Sequence, residues 1–153
     1  MAEAVNADGG EAVPGSSRAV PAGGGLAGTY QVGKRFSFDA AHRLCGLPAG
    51  HKCGRVHGHT YTVEVVVAAE ELSGPGFVTD FGDLGVFGAY LEERFDHRDL
   101  VEVLDVEPTA ERIAGHLADW FARNVEPGIP GRLVAVRVSE TPSTWAEYRV
   151  ARS

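Results

Sequence analysis

The chain has 153 residues, 44% of them hydrophobic and 23% charged, with a formal net charge of −7. That is enough for one modest core and too little for two ordinary domains. The acidic balance argues against a nucleic-acid partner, which selects a basic face. No basic-then-apolar leader and no apolar run of spanning length is visible, so the expected setting is cytoplasmic, without a membrane partner. In such a reducing setting Cys45 and Cys53 are expected as thiols rather than as a disulfide.

Residues 1–27 are rich in Ala, Gly, Pro and Ser and lack apolar periodicity. They cannot bury enough surface to offset the entropy of ordering, and read as a disordered tail ahead of a single catalytic domain over 28–153. From Tyr30 the apolar residues Tyr30, Val32, Phe36 and Phe38 fall on even positions, the period of a half-buried strand. A loop rich in Gly, Pro, Cys and His follows, from about Arg43 to Val56. A second strand then carries His57, His59, Tyr61, Val63, Val65 and Val67 on one face, to about Ala69. Asp80 is placed to cap a helix whose apolar stripe is Leu84, Phe87, Leu91 and Phe95. Thr109 is placed to cap a second helix with the stripe Ile113, Leu117, Trp120, Phe121 and Val125, closed by Pro127, Gly128, Pro130 and Gly131. His116, close to that stripe, reads as a satisfied packing residue. Two further strands are expected at about Leu133–Glu140 and Trp145–Ala151. The order ββααββ predicts an α+β fold, with two helices on one face of a four-stranded antiparallel sheet. Such an open sheet has two edges that pairing between subunits would cover.

The chemistry concentrates between His42 and His59. Residues two apart on a strand share a face, so His57 and His59 can hold one ion, and His42 can add a third nitrogen if the two strands pair. Three imidazoles with an open fourth position are the pattern of a catalytic zinc site, although such ligands also suit copper, nickel or iron. Cys53 lies four residues before His57, beside Lys52 and Arg55. Those cations and a nearby metal would favour its thiolate, as metal ligand, nucleophile or base. Cys45 has no such setting and reads as structural. Asp96 and His97 directly follow the first helix, where a carboxylate could orient an imidazole for proton transfer, although adjacent side chains often point apart. Glu140 closes the third long strand, where its carboxylate could accept parallel N–H bonds from a 2-amino-4-oxo pyrimidine ring.

The segments Phe38-Asp39-Ala40-Ala41-His42-Arg43-Leu44 and Gly50-His51-Lys52-Cys53-Gly54-Arg55-Val56-His57-Gly58-His59 resemble the 6-pyruvoyltetrahydropterin synthase superfamily. Within it, the Gly-His-Lys-Cys context looks like the 6-carboxytetrahydropterin synthases. Val78-Thr79-Asp80-Phe81, Asp96-His97, Pro108-Thr109-Ala110-Glu111 and Ser139-Glu140-Thr141-Pro142 follow in the family's order. Phe95 and Val101 depart from it, where Leu and Asn are usual.

The resemblance implies the tunnelling fold, with sheets joined edge to edge into an oligomeric barrel, a homohexamer of two stacked trimers with sites between subunits. It implies zinc on His42, His57 and His59, a base at Cys53, and a proton-relay pair at Asp96 and His97. The pterin ring is anchored by Glu140, helped by backbone near Thr109. Lys52 and Arg55 are candidates for triphosphate contacts from their charge and place. The implied reaction converts 7,8-dihydroneopterin triphosphate to 6-carboxy-5,6,7,8-tetrahydropterin, acetaldehyde and triphosphate, toward 7-deazaguanine compounds such as queuosine. The alternatives are 6-pyruvoyltetrahydropterin synthesis and a zinc- or pterin-binding module without turnover.

Overall fold

Alternating burial organises the sheet in the computed structural model, which describes residues 26–152. The tail reading of residues 1–27 falls almost wholly outside them. β1 (Tyr30–His42) and β2 (His57–Ala69) pair antiparallel along their whole length, from Tyr30↔Ala69 to His42↔His57. On β2, Tyr61, Val63, Val65 and Val67 are fully buried, while the residues between them are partly open. β-branched side chains favour such a pleated, half-buried surface. β4 (Arg132–Thr141) joins the other side of β2, and β5 (Thr144–Arg149) turns back along β4.

The sheet has a fifth member. β3 (Arg98–Asp99) runs parallel to β1 at Ala40 and Ala41, giving the order β3-β1-β2-β4-β5. The expected four antiparallel strands are therefore the body of a mixed sheet. A two-residue strand has no periodicity to read, and tertiary contacts create it. β5 is also shorter than expected, with Val150 making a single bond to the Val134 carbonyl.

Asp80 caps a 3-10 turn over Phe81–Leu84, by accepting from the Gly82 N–H, rather than the α-helix itself. α1 (Gly85–Arg94) follows, and Leu84, Phe87, Leu91 and Phe95 are buried as the stripe requires. The one-turn α2 (Leu100–Val103), capped by Asp99, has too short a signal to read in advance. α3 (Ala110–Asn124) starts at Thr109, whose hydroxyl accepts from the Arg112 N–H at 3.2 Å. It packs on β4 and β5 through Ile113, Ala114, Leu117, Ala118 and Phe121. Trp120 is only half-buried, with its ring stacked on Tyr90 at 3.7 Å. Tyr90 Oη meets His116 Nε2 at 3.0 Å, which satisfies that half-buried imidazole. Among the described residues no helix is long and apolar enough to cross a membrane.

The helices cover one face of the sheet, and the other carries a row of alternating charge. Arg35 pairs with Glu64 at 2.7 Å and Arg137 with Glu147 at 3.0 Å, while Arg149 meets Glu147 at 2.7 Å. Arg137 also stands 4.0 Å from Glu64, which links the row across four strands. Each such pair adds little stability alone, but together they mark this face as polar.

Candidate metal centre and active site

The register of β1 on β2 builds the centre. His42 ends β1 directly opposite His57, and His59 stands two residues along on the same face. That face is the helix-covered one, since Phe38, Tyr61 and Val63 share it in the core. One ligand atom from each of the three imidazoles lies within 4.8 Å of the others. His42 is 1% exposed.

Hydrogen bonding on the outer nitrogens sets the tautomers. His42 Nδ1 donates to the Pro108 carbonyl at 2.8 Å, and His57 Nδ1 donates to the Arg55 carbonyl at 2.7 Å. Neutral rings held this way present bare Nε2 lone pairs inward. His42 Nε2 and His57 Nε2 face each other at 3.0 Å, and His59 Nε2 is buried with no hydrogen-bond partner. Burial above all, and then the neighbouring His42 and His57, hold the His59 imidazole below its ordinary pKa, against the opposing pull of Glu140. Neutral imidazole is the form that binds a metal. Imidazole nitrogens that face one another this closely fit a shared cation, so the donor set suits a zinc-type ion.

Glu140 comes to the same place from β4. Its carboxylate oxygens lie 3.9 Å from His42 Nε2 and 3.9 Å from His59 Nε2. Sequence reasoning placed Glu140 as a ring anchor without foreseeing that it leans over the histidines. In the sequence Tyr61 reads only as a core residue on the β2 alternation. It is fully buried, yet its hydroxyl has no partner.

Asp96 and His97 meet, by a device the sequence conceals. His97 adopts φ 56°, an uncommon left-handed conformation, and this turns its ring back so that Nδ1 reaches Asp96 Oδ2 at 2.8 Å. The turn is pinned to the edge of β1: the His97 N–H donates to the Asp39 carbonyl at 2.6 Å, and the Asp39 N–H donates to Asp96 Oδ1 at 2.9 Å. The Asp39 backbone bond, followed by the His97 bond, keeps the Asp96 carboxyl below its usual range. Bonding to Asp96 raises the His97 imidazole. His97 borders a hollow at the edge of β1 whose lining includes Asp39, Ala40, Gly58, His59 and Thr60, and with Asp96 it borders a second one beside Gly88, Leu91 and Glu92. The pair therefore sits at the edge of the sheet, whereas the three histidines share its covered face.

The loop between β1 and β2 holds the rest. Cys53 lies in a 3-10 turn (Lys52–Gly54), half-buried, with its N–H donating to His51 Nδ1 at 3.1 Å and its carbonyl accepting from Leu44. It stands outside the histidine group, so a role as a further ligand gains no support. Arg43, His51 and Arg55 border a hollow in this loop, and Lys52 is exposed beside it. Cys45 is exposed rather than structural, and both cysteines are free thiols. Glu107 accepts from the Cys45 N–H, which ties the loop to the chain ahead of α3. Thr109 faces the site only through its neighbour: the Pro108 carbonyl that holds His42 directly precedes the helix cap.

A layered α+β subunit with three convergent imidazoles that could hold a metal ion at one end of its sheet defines the class. The chain belongs to the 6-pyruvoyl tetrahydropterin synthase family, whose sequence profile matches residues 31–151. It is 39% identical over 121 residues to the 6-carboxy-5,6,7,8-tetrahydropterin synthase of Synechocystis sp., covering 75% of this chain and 89% of the relative. With the enzyme of that name from Bacillus subtilis it shares 32% identity over 133 residues, covering 79% of this chain and 86% of the relative. The fold matches the Caenorhabditis elegans 6-pyruvoyl tetrahydropterin synthase with a TM-score of 0.69 at 24% identity, covering 81% of this chain and 97% of that one. This is the tunnelling fold that the resemblance implies, with the α+β layering that the element order predicts.

Proposed function

We propose that the chain is a zinc-dependent 6-carboxy-5,6,7,8-tetrahydropterin synthase of the cytoplasm. It converts 7,8-dihydroneopterin triphosphate to 6-carboxytetrahydropterin, acetaldehyde and triphosphate, for 7-deazaguanine biosynthesis. The carrying observation is the set of three convergent imidazoles, two with their outer nitrogens bound to carbonyls, in a chain whose curated relatives bear this enzyme's name. His42, His57 and His59 would hold the zinc ion, which when bound would supply Lewis-acid polarisation to the substrate's side-chain oxygens. Glu140 accepts the paired N–H groups of the pterin ring, with backbone near Thr109 beside it. Cys53, as thiolate, removes a side-chain proton. His97, oriented by Asp96, returns or relays protons, and Lys52 and Arg55 meet the triphosphate.

The placement of the Asp96–His97 pair supports a site shared between subunits. The histidines lie on the covered face and the pair at the β1 edge, so a partner's pair completes the site in a barrel of sheets joined at their edges. The outer edge of β5, and that of β1 ahead of its short pairing with β3, make such joining possible, and we assign the assembly as two stacked trimers.

The test is product analysis with the zinc-loaded protein. Acetaldehyde and 6-carboxytetrahydropterin should appear in equal amounts. Substrate consumed without acetaldehyde would favour the 6-pyruvoyl product, which the family profile and the C. elegans structure keep in view. A zinc-loaded protein with no turnover would favour a binding module. Cys53→Ala should keep its zinc and lose turnover by a factor of about 10² or more.

A further inference from the structure

Tyr61 is the fully buried polar side chain at the centre that the proposed chemistry leaves unused. It is 0% exposed, and its ring stacks on Phe38 at 5.1 Å. His42 and His59 pack edge-on against the same ring at 5.8 and 5.5 Å. Its hydroxyl has no partner, although a buried hydroxyl left unpaired is costly and native structures rarely keep one. Thr62↔Ser139 closes the β2–β4 ladder, so Tyr61 and Glu140 are the next neighbours across it, on the histidine face. A phenol O–H is a donor, and here it stands beside a carboxylate with acceptor capacity to spare.

Glu140 faces a conflict at this spot. With its oxygens 3.9 Å from two of the three ligand nitrogens, a small side-chain rotation would make it a fourth metal ligand. A closed fourth position is the hallmark of a structural zinc site, and an open one of a catalytic site. A carboxylate bound to the metal is also unavailable to the pterin ring. We propose that Tyr61 is a positioning residue whose phenol O–H donates to the Glu140 carboxylate in the metal-loaded protein, holding it off the metal and toward the pterin ring. Second-shell hydrogen bonds of this kind commonly orient carboxylates at metal sites. This rests on the zinc-site and ring-anchor reading given above.

Tyr61→Phe removes the hydroxyl and keeps the ring, so the stacking with Phe38 and the fold should survive. Cobalt substituted for zinc reports on the ligand set through its visible absorption, whether or not any pterin turns over. In Tyr61→Phe the cobalt bands should shift, and the shift should vanish in the Tyr61→Phe/Glu140→Gln double variant. In protein with Tyr61 intact, Glu140→Gln should leave the cobalt bands where they are. On the substrate side, Tyr61→Phe should bind a full complement of zinc yet raise KM about tenfold or more.

Unchanged cobalt bands in Tyr61→Phe would overturn the proposal. So would bands that move on Glu140→Gln with Tyr61 intact, because the carboxylate would then already be a ligand. That second measurement stands even if Tyr61→Phe does not fold. If wild-type protein fails to turn over the pterin triphosphate, the functional reading falls, while the cobalt bands still decide the role of Tyr61.

Discussion

Two histidines outside the metal centre are tuned in opposite directions. His97 is 79% exposed in its side chain, and the Asp96 hydrogen bond and charge raise its pKa. His116 is half-buried beneath Tyr90, and burial lowers its pKa. The stability consequences oppose each other. The contribution of His97 is present in full below the ordinary value of 6.5 and is lost as pH rises through its folded-state pKa. The contribution of His116 is present in full above 6.5 and is lost as pH falls from there toward its folded-state pKa. Ring-proton NMR titration should place the His97 midpoint above 6.5 and the His116 midpoint below it. Asp96→Asn should lower the His97 midpoint and leave that of His116 in place. A His97 midpoint that stays raised in Asp96→Asn would show that the cause is not the carboxylate.

At the scale of elements, close approach matters as much as pattern. Gly131 is buried just ahead of β4, against the register shift of the β2–β4 ladder at Val66 and Val67. A Cβ there would overlap Val67 Cγ1 and press on Val78 Cγ1 at 3.2 Å and the Ala68 carbonyl at 3.4 Å. Gly131→Ala should therefore destabilise the fold by about 1–3 kcal/mol in chemical denaturation. It should keep its zinc, because it lies at the end of β2 remote from His57. In the sequence Gly131 reads only as part of a helix stop; its packing role needs Val67 and Val78 in place. The same divide runs through the whole reading. β1, β2, the α1 stripe and the Thr109 cap are legible because their signals are local: period two, period near four, and a hydroxyl three residues before the N–H it accepts. β3 and α2 are too short to carry a period and exist through Asp39, Asp96 and Asp99. Within the site, His57 and His59 are legible from their spacing, and His42 follows once the strands pair. The Asp96–His97 contact depends on a left-handed residue that neighbouring sequence does not announce. Tyr61 reads as core because a strand pattern gives its face and not the fate of its hydroxyl.

For the whole molecule, the decisive feature is where the sheet puts the two halves of the proposed machinery. His42, His57 and His59 converge within one subunit, so a metal ion held by them would need no partner. Asp96 and His97 sit at the β1 edge of the same sheet, so in the proposed mechanism proton relay to that site calls for a neighbour's copy. The Arg35–Glu64–Arg137–Glu147–Arg149 row makes the uncovered face charged, a poor surface for burial against a second hydrophobic layer and a suitable lining for a wet tunnel. Two inactive variants should then rescue each other. Cys53→Ala retains its Asp96–His97 pair, and His97→Ala retains its zinc site and thiol. When the two are unfolded together and refolded as mixed oligomers, sites pairing an intact Cys53 with a neighbour's intact His97 should recover up to about a quarter of wild-type activity. Each variant refolded alone should stay inactive, and light scattering should show all three samples at the same multiple of the 16.2 kDa chain mass. If the mixed oligomers form and recover nothing, both residues act within one subunit, and movement of the 43–56 loop must bring them together instead.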